Sequence, residues 1–386
     1  MVSHLYIHVP FCQSKCHYCG FYSVQAEPAL VAIYPGLIAT ELAQLKALLA
    51  ARDASLELTG VQTLYFGGGT PALLGEEGFR TLRQQMEAWF DFSALREWTV
   101  ELNPSCVTLS LLETLASLGV TRLSLGAQSF CDATLQRIGR THTAETSLSA
   151  VRMAQRVGFG NVGIDLIAGL PGVSPAAWRA TLDQAVSLDL MHLSVYGLSV
   201  EPRTRLAQWV AAGEWTPLDD DALADELEVA RQCLEGAGYA QYEISNFAVP
   251  GFACEHNLGI WRGNDYLGLG PAAASRFNQL RWTNDASLPG YVQGLLQGDH
   301  PPRSMALLPA QDDGCERAFF RLRLNEGFNP FSGPETVSDQ ADLWEEKLEN
   351  YARLGLVERG GLRWRLTVRG REVCDAIVRE LLACKQ

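Results

Sequence analysis

The chain has 386 residues, 47% hydrophobic and 19% charged, with a net charge of -13 and a pI near 5.1. This composition excludes a mainly disordered chain, and the acidic balance excludes a duplex nucleic-acid binder, which needs a basic face to displace counterions from phosphate. No run of 18 or more apolar residues occurs, and the N-terminus MVSHLYIHVP lacks a basic region followed by a long apolar one, so the expectation is a cytoplasmic protein with no integral membrane segment and at most peripheral membrane contact.

Taken in chain order, short β-rich runs alternate with helical patterns. LYIHV at 5–9 precedes a helix over 29–52, TLYFGGG at 63–69 a helix near 76–90, and WTVELNP at 98–104 the third unit. RLSLGAQS with helical residues 132–157, VGIDLIAGLPG with a helix near 175–188, and HLSVYGLSVEP with a helix near 220–237 complete six strand-helix units. The alternation predicts an α/β fold with a parallel sheet and right-handed crossovers, either doubly wound or closed toward a barrel. Strand C-termini line the site in both. Here those ends carry Cys12, Gly67 to Gly69, Glu101, Gln128, Asp165 and Tyr196. Six consecutive units with polar groups on one rim favour a partial (β/α)6 barrel of the TIM type over residues 1–240.

After YEISNFAVPGF at 242–252 the rhythm stops, which sets off an extension over 241–300. HPPRSMALLP at 300–309 reads as a linker. The remainder, 301–386, reads as an accessory domain in a winged-helix-like order: helix, helix (338–354), the hairpin VERGGLRWRLT, and a last helix from Val368. Few basic residues are free on that last helix, so an interaction or lid role is expected there rather than DNA binding.

Three of the 10 cysteines, Cys12, Cys16 and Cys19, fall in FCQSKCHYCG at 11–20, directly behind the first strand. In a reducing compartment thiols serve more often as metal ligands or catalytic groups than as disulfide partners. The spacing CxxxCxxC on one short loop can hold three corners of a cubane iron-sulfur cluster and leave the fourth iron without a protein ligand. Structural zinc wants four donors in two pairs, and no second pair follows. A catalytic zinc on the same thiols is the other chemistry the spacing allows. Cys106, Cys131, Cys233, Cys254, Cys315, Cys374 and Cys384 read as small core residues.

CxxxCxxC after the first strand, followed by GGGTP after the second, resembles the radical S-adenosylmethionine superfamily. YIHVPFCQSKCHYCGFYS, FGGGTP, VELNP, RLSLGAQSF, IGRTH, DLIAGLPG, EPRT, YEISNFA and the HN and Trp of HNLGIW are similar to its HemN and HemW branch, nearly end to end. The resemblance implies a 4Fe-4S cluster on Cys12, Cys16 and Cys19, with the open iron chelated by the amino and carboxylate groups of S-adenosylmethionine. It implies one-electron transfer to the sulfonium, giving methionine and a 5'-deoxyadenosyl radical. Tyr6, Tyr18, Gly68 and Glu101 match the surroundings of that molecule, the Glu101 carboxylate suiting its amino group. Gly69, Thr70, Gln128, Arg140 and Asp165 match positions that face a second molecule in the dehydrogenases, so the expectation is one or two.

One position separates the activities of this branch. Its oxygen-independent coproporphyrinogen III dehydrogenases carry a fourth cysteine two residues after the third, whereas Cys19-Gly20-Phe21 resembles the HemW-type haem chaperones. The chain also begins five residues before Tyr6, where the dehydrogenases carry an extension. The expectation is a haem chaperone, with haem as cargo, haem-accepting proteins as partners and an electron donor such as flavodoxin or ferredoxin. The alternative is oxidative decarboxylation of coproporphyrinogen III, or another radical reaction on a tetrapyrrole. His256, Asn257 and Trp261 correspond to the HNxxYW signature of the chaperones, and imidazole is a usual axial ligand of haem iron. Two departures accompany this match: Ile260 stands where the family has Tyr, and Ala274 where it has His.

Overall fold

Six apolar, β-branched runs form strands: β1 (His4–Val9), β2 (Thr63–Gly68), β3 (Glu97–Leu102), β4 (Arg122–Gln128), β5 (Val162–Ala168) and β6 (His192–Gly197). They pair in chain order and all in parallel. Side chains alternate along each. Leu5, Ile7 and Val9, with Leu64 and Phe66, join the main apolar core under the outer helices. Their neighbours His4, Tyr6, His8, Thr63 and Tyr65 face the other side. The helices between strands begin at side-chain caps, among them Thr108, Thr143, Ser174 and Asp219, each satisfying a first-turn amide. This computed structural model describes residues 2–51, 56–58, 60–298, 300–330 and 338–382, the side chains of 311 and 338–342 excepted.

The sheet extends beyond the six strands at both edges. β7 (Ala240–Gln241) and β8 (Asn246–Ala248) add antiparallel strands beyond β6. On the other side β9 (Tyr266–Leu269) pairs in parallel with β1, and β10 (Ala274–Phe277), β11 (Leu280–Asn284) and β12 (Arg303–Leu307) follow as a meander. The result is a 12-stranded sheet. The expected linker at 300–309 is therefore corrected: residues 303–307 form the outermost strand. Pro301 and Pro302 mark only its entrance, because a Pro at the start of an edge strand removes no ladder bond that matters.

Helix Pro28–Ala50 is long and apolar enough to cross a membrane by composition. Its Tyr34, Leu37, Ile38, Leu42, Leu45 and Leu49 pack into the main core instead. Its buried Glu41 accepts from Gly270 N at 2.7 Å, Asn284 Nδ2 at 2.6 Å and Tyr291 Oη at 2.7 Å, which ties the added strands to this helix.

Beyond β12 the helices Ala310–Leu322 and Ser338–Arg353, an antiparallel pair Val357–Gly360 with Arg363–Leu366, and the helices Val368–Glu372 and Cys374–Leu382 enclose a second core around Phe319, Trp344, Leu348, Trp364 and Ile377. The order helix, helix, hairpin is the one the sequence suggests, whereas the single last helix expected from Val368 is two, Val368–Glu372 and Cys374–Leu382. Arg276 on β10, fully buried, pairs with Asp313 of the first of these helices. Cys254, Cys315 and Cys374 are buried as expected, Cys106, Cys131 and Cys233 are half-buried, and Cys384 lies outside the described residues.

Candidate functional site

Residues from the ends of β2 to β6 and from the loop that follows β1 line one cavity of about 560 Å³, which a flat sheet could not achieve, so the sheet curls into an arc. Its volume falls within the range of small-molecule sites. The loop behind β1 forms one wall with Cys12, Cys16 and Cys19, all half-buried. That loop is closed at its root by a short parallel pairing of Phe11–Cys12 with Val24–Gln25. Farther out, His17 N donates to Ile138 O at 2.9 Å and Leu206 N to His17 O at 2.8 Å. The thiols are thus presented by a loop fixed to three neighbouring segments.

The donor set suits an iron-sulfur cluster. Three thiols presented by one short loop to one cavity are the ligands such a cluster takes. Thr70 Oγ1 stands 3.7 Å from Cys12 Sγ and Arg140 Nη1 3.5 Å from Cys16 Sγ. Donors at the sulfurs are what tune such clusters. Arg140 also donates through Nη2 to Gly126 O at 2.6 Å, while its buried Nε has no protein partner.

Opposite the thiols, Glu101 at the end of β3 accepts from Tyr65 Oη at 2.7 Å and from Gly68 N at 3.2 Å. Burial pushes its carboxyl up to about 7, with the nearby Asp165 charge acting the same way and the two hydrogen bonds opposing. Two glycines make this corner. A Cβ on Gly67 would stand 3.0 Å from the Glu101 carboxylate, and Gly68 has φ +106 with the His8 ring 2.6 Å from where a Cβ would be; only glycine tolerates both conditions. Gln128 also has a left-handed φ of 68, at a bulge in the β4–β5 pairing. Such a kink re-aims a side chain at a site and stores backbone strain there. Asp165 accepts from Ser124 Oγ at 3.3 Å, and burial raises its pKa.

Tyr18, Gly68, Gly69, Thr70, Glu101, Gln128, Arg140 and Asp165 all line this cavity with the three cysteines. Tyr6 does not. It sits one layer deeper, with Oη 3.1 Å from His8 Nδ1 and its ring 6.0 Å from that of Tyr65. Cys106, read as core, lines the cavity instead, as do Asn103, Ser124 and Phe21. Phe21 is 70% exposed at the mouth. Tyr65 was not signalled by any motif, although its period-2 relation to Gly67 in TLYFGGG puts both on one face.

His256, Asn257 and Trp261 are not brought to the cavity. They lie on the helix Glu255–Trp261, which plugs the opposite end of the arc. Glu97, at the start of β3, accepts from Glu255 N at 2.9 Å and His256 N at 3.1 Å. Trp261 packs edge-on against Phe320, with Arg323 over its face. His256 is only 2% exposed. Its Nδ1 lies 2.8 Å from Thr63 Oγ1, which lies 2.8 Å from His4 Nδ1, and Asn264 Nδ2 donates to His4 Nε2 at 3.1 Å. The three side chains and Asn264 form one buried hydrogen-bonded chain, in which each ring nitrogen donates or accepts according to its tautomer. His256 is neutral, burial holding its pKa far down, and its buried Nε2 has no protein partner. The ring is buried at the far end of the arc and does not line the cavity, so His256 is not placed where a ligand in that cavity would meet it.

Residues 6–185 match the model of the radical SAM superfamily. A protein named heme chaperone HemW from Mycobacterium tuberculosis is 35% identical over 98% of this chain and 94% of its own length. The HemW proteins of Bacillus subtilis and Escherichia coli are each 32% identical, over 97% and 98% of this chain and 99% and 98% of their own lengths. The chain belongs to the radical SAM superfamily, in the branch that holds these proteins. The fold agrees: the coproporphyrinogen III oxidase HemN from E. coli superposes with a TM-score of 0.81 at 24% identity, covering 98% of this chain and 90% of that one. Membership in the radical SAM superfamily implies a 4Fe-4S cluster and S-adenosylmethionine, and the cavity supplies thiols for the one and a carboxylate, a guanidinium and a glycine corner for the other.

Proposed function

We propose that this radical SAM protein is a haem chaperone, which binds haem and passes it to haem-accepting proteins, rather than a coproporphyrinogen dehydrogenase. The observation that carries the reading is Phe21. Where the resemblance puts a fourth cysteine in the dehydrogenases, this chain presents an exposed phenyl ring at the mouth of the cavity. The relatives that align over nearly the whole chain bear the chaperone name, which supports the same reading.

Within it, Cys12, Cys16 and Cys19 hold the cluster, and Tyr18, Gly68 and Glu101 hold one S-adenosylmethionine, Glu101 receiving the amino group. Gly69, Thr70, Gln128, Arg140 and Asp165 are the wall available to a second molecule. When bound, the cluster supplies one electron to the cofactor's sulfonium. The protein's own part is to orient the cofactor, to place the Arg140 cation beside a sulfur ligand, and to close the site from below with the plug helix.

The test is anaerobic incubation of the cluster-loaded protein, in separate vessels, with coproporphyrinogen III and with haem. A Soret band on haem addition and no decarboxylated product is the expected pair of results. Formation of protoporphyrinogen would favour the dehydrogenase.

A further inference from the structure

We propose that Tyr65 is a positioning residue for the cofactor site, fixing the Glu101 carboxylate, and that His256 fixes Tyr65 in turn, so that the seat of the plug helix sets the strength of cofactor binding. This deepens the reading above and rests on its assignment of Glu101 to the cofactor's amino group.

The connection runs along one face of β2. Thr63, Tyr65 and Gly67 alternate with the core residues Leu64 and Phe66, so all three face the inside of the arc. Thr63 holds the His256 imidazole at 2.8 Å. The His256 ring lies against the Tyr65 ring with centroids 5.0 Å apart and planes inclined by 33°. Tyr65 Oη reaches Glu101 Oε1 at 2.7 Å, and Gly67 leaves the room that the carboxylate fills. With Nδ1 held by Thr63, the ring cannot turn without breaking a buried hydrogen bond.

β3 supplies a parallel link. Thr63 pairs with Glu97 and Tyr65 with Thr99 across the strands. Glu97 anchors the first amides of the plug helix and Glu101 walls the cavity, four residues apart on the same inward face. A displaced plug helix therefore loosens His256, frees the Tyr65 ring and lets its phenol leave Glu101. The HN segment, which the sequence suggests as a haem site, acts here through the cofactor pocket.

The experiment measures S-adenosylmethionine affinity by anaerobic calorimetry on cluster-loaded wild type, Tyr65→Phe, Glu101→Gln, the double variant, His256→Ala and His256→Phe, with cluster content and the unfolding midpoint recorded for each. Tyr65→Phe should bind about tenfold more weakly, with its cluster intact. In the double variant Tyr65→Phe should add little to Glu101→Gln, because the negative charge whose placement the phenol serves is already gone, even though the Gln carbonyl can still accept from it. His256→Ala should weaken binding and His256→Phe, which keeps a ring against Tyr65, should restore most of it. Wild-type affinity in Tyr65→Phe, or full additivity with Glu101→Gln, would overturn the proposal while leaving Glu101 in place. Wild-type affinity in Glu101→Gln would remove the cofactor assignment itself and the proposal with it.

Discussion

Arg140 and Cys16 meet at the cavity wall, the guanidinium Nη1 3.5 Å from Sγ while Nη2 is held by Gly126 O. The cation is anchored by backbone and so is available to a thiolate ligand without side-chain reorganisation. Arg140→Gln should leave the cluster in place but make it harder to reduce, since positive charge and hydrogen bonds at the sulfurs raise cluster potentials. A shift of order 60 mV to more negative potential corresponds to a tenfold change for a one-electron couple. Anaerobic redox titration followed by EPR is the measurement, and an unchanged potential would show that Arg140 does not act on the cluster.

The three cysteines of the loop should be individually required. Replacing Cys12, Cys16 or Cys19 by Ala should abolish the reconstituted cluster. Cys106→Ser should not, although Cys106 lines the same cavity. Iron and sulfide content per chain decides this, and a full cluster in the triple Ala variant would sink the assignment.

Glu101 gives a pH signature before any cofactor is added. Its carboxyl is pushed from an ordinary 4.5 up to about 7 by burial, so the folded chain favours the protonated acid. The corresponding stabilisation is fully present below pH 4.5 and is lost as pH rises through about 7. Cluster-free Glu101→Gln should therefore gain stability relative to wild type between pH 5 and pH 8, by up to about 3 kcal/mol at 1.36 kcal/mol per pKa unit. Denaturant midpoints of the two proteins at both pH values measure it. A constant difference would mean that the carboxyl is not buried as described.

For haem, His256→Phe should retain the Soret band, because in the wild type the ring is buried and its Nδ1 is already engaged by Thr63. Loss of the band in that variant would show that the plug helix leaves its seat to bind haem.

Much of this site was legible because two kinds of signal coincide. The six strands announced themselves by apolar period and turn residues, and the rim residues follow from the rule that strand C-termini carry the chemistry. Cys12, Cys16 and Cys19 needed only their spacing besides, and the role of Glu101 the family resemblance. The inward polar residues lower in the arc, Glu97, Arg122, His192 and Tyr65, were not legible: in an apolar strand a lone charged residue looks the same whether it faces solvent or a polar interior. For His256 the sequence gives the ligand type but not that its helix packs at the far end of the arc, away from the cavity. The strand at 303–307 was missed because its two preceding prolines imitate a linker, and its pairing partner is set by the fold rather than by its own pattern.

Glu41 should prove to be a stability residue with no part in chemistry. Glu41→Ala leaves the Gly270 amide, Asn284 and Tyr291 without their acceptor in a fully buried place, at about 1–3 kcal/mol for each unsatisfied group. Hydrogen exchange should accelerate in β11 and β12 before it does in β1 to β6. Uniform exchange across the sheet would contradict this.

β1 is flanked by β2 on one side and by β9 on the other. The first neighbour is made within 68 residues, whereas the second ends at Leu269. While the chain is being synthesised, the strand that carries the cysteine loop therefore keeps one bare hydrogen-bonding edge through most of translation. An unpaired edge of that kind is a template for wrong partners until β9 covers it.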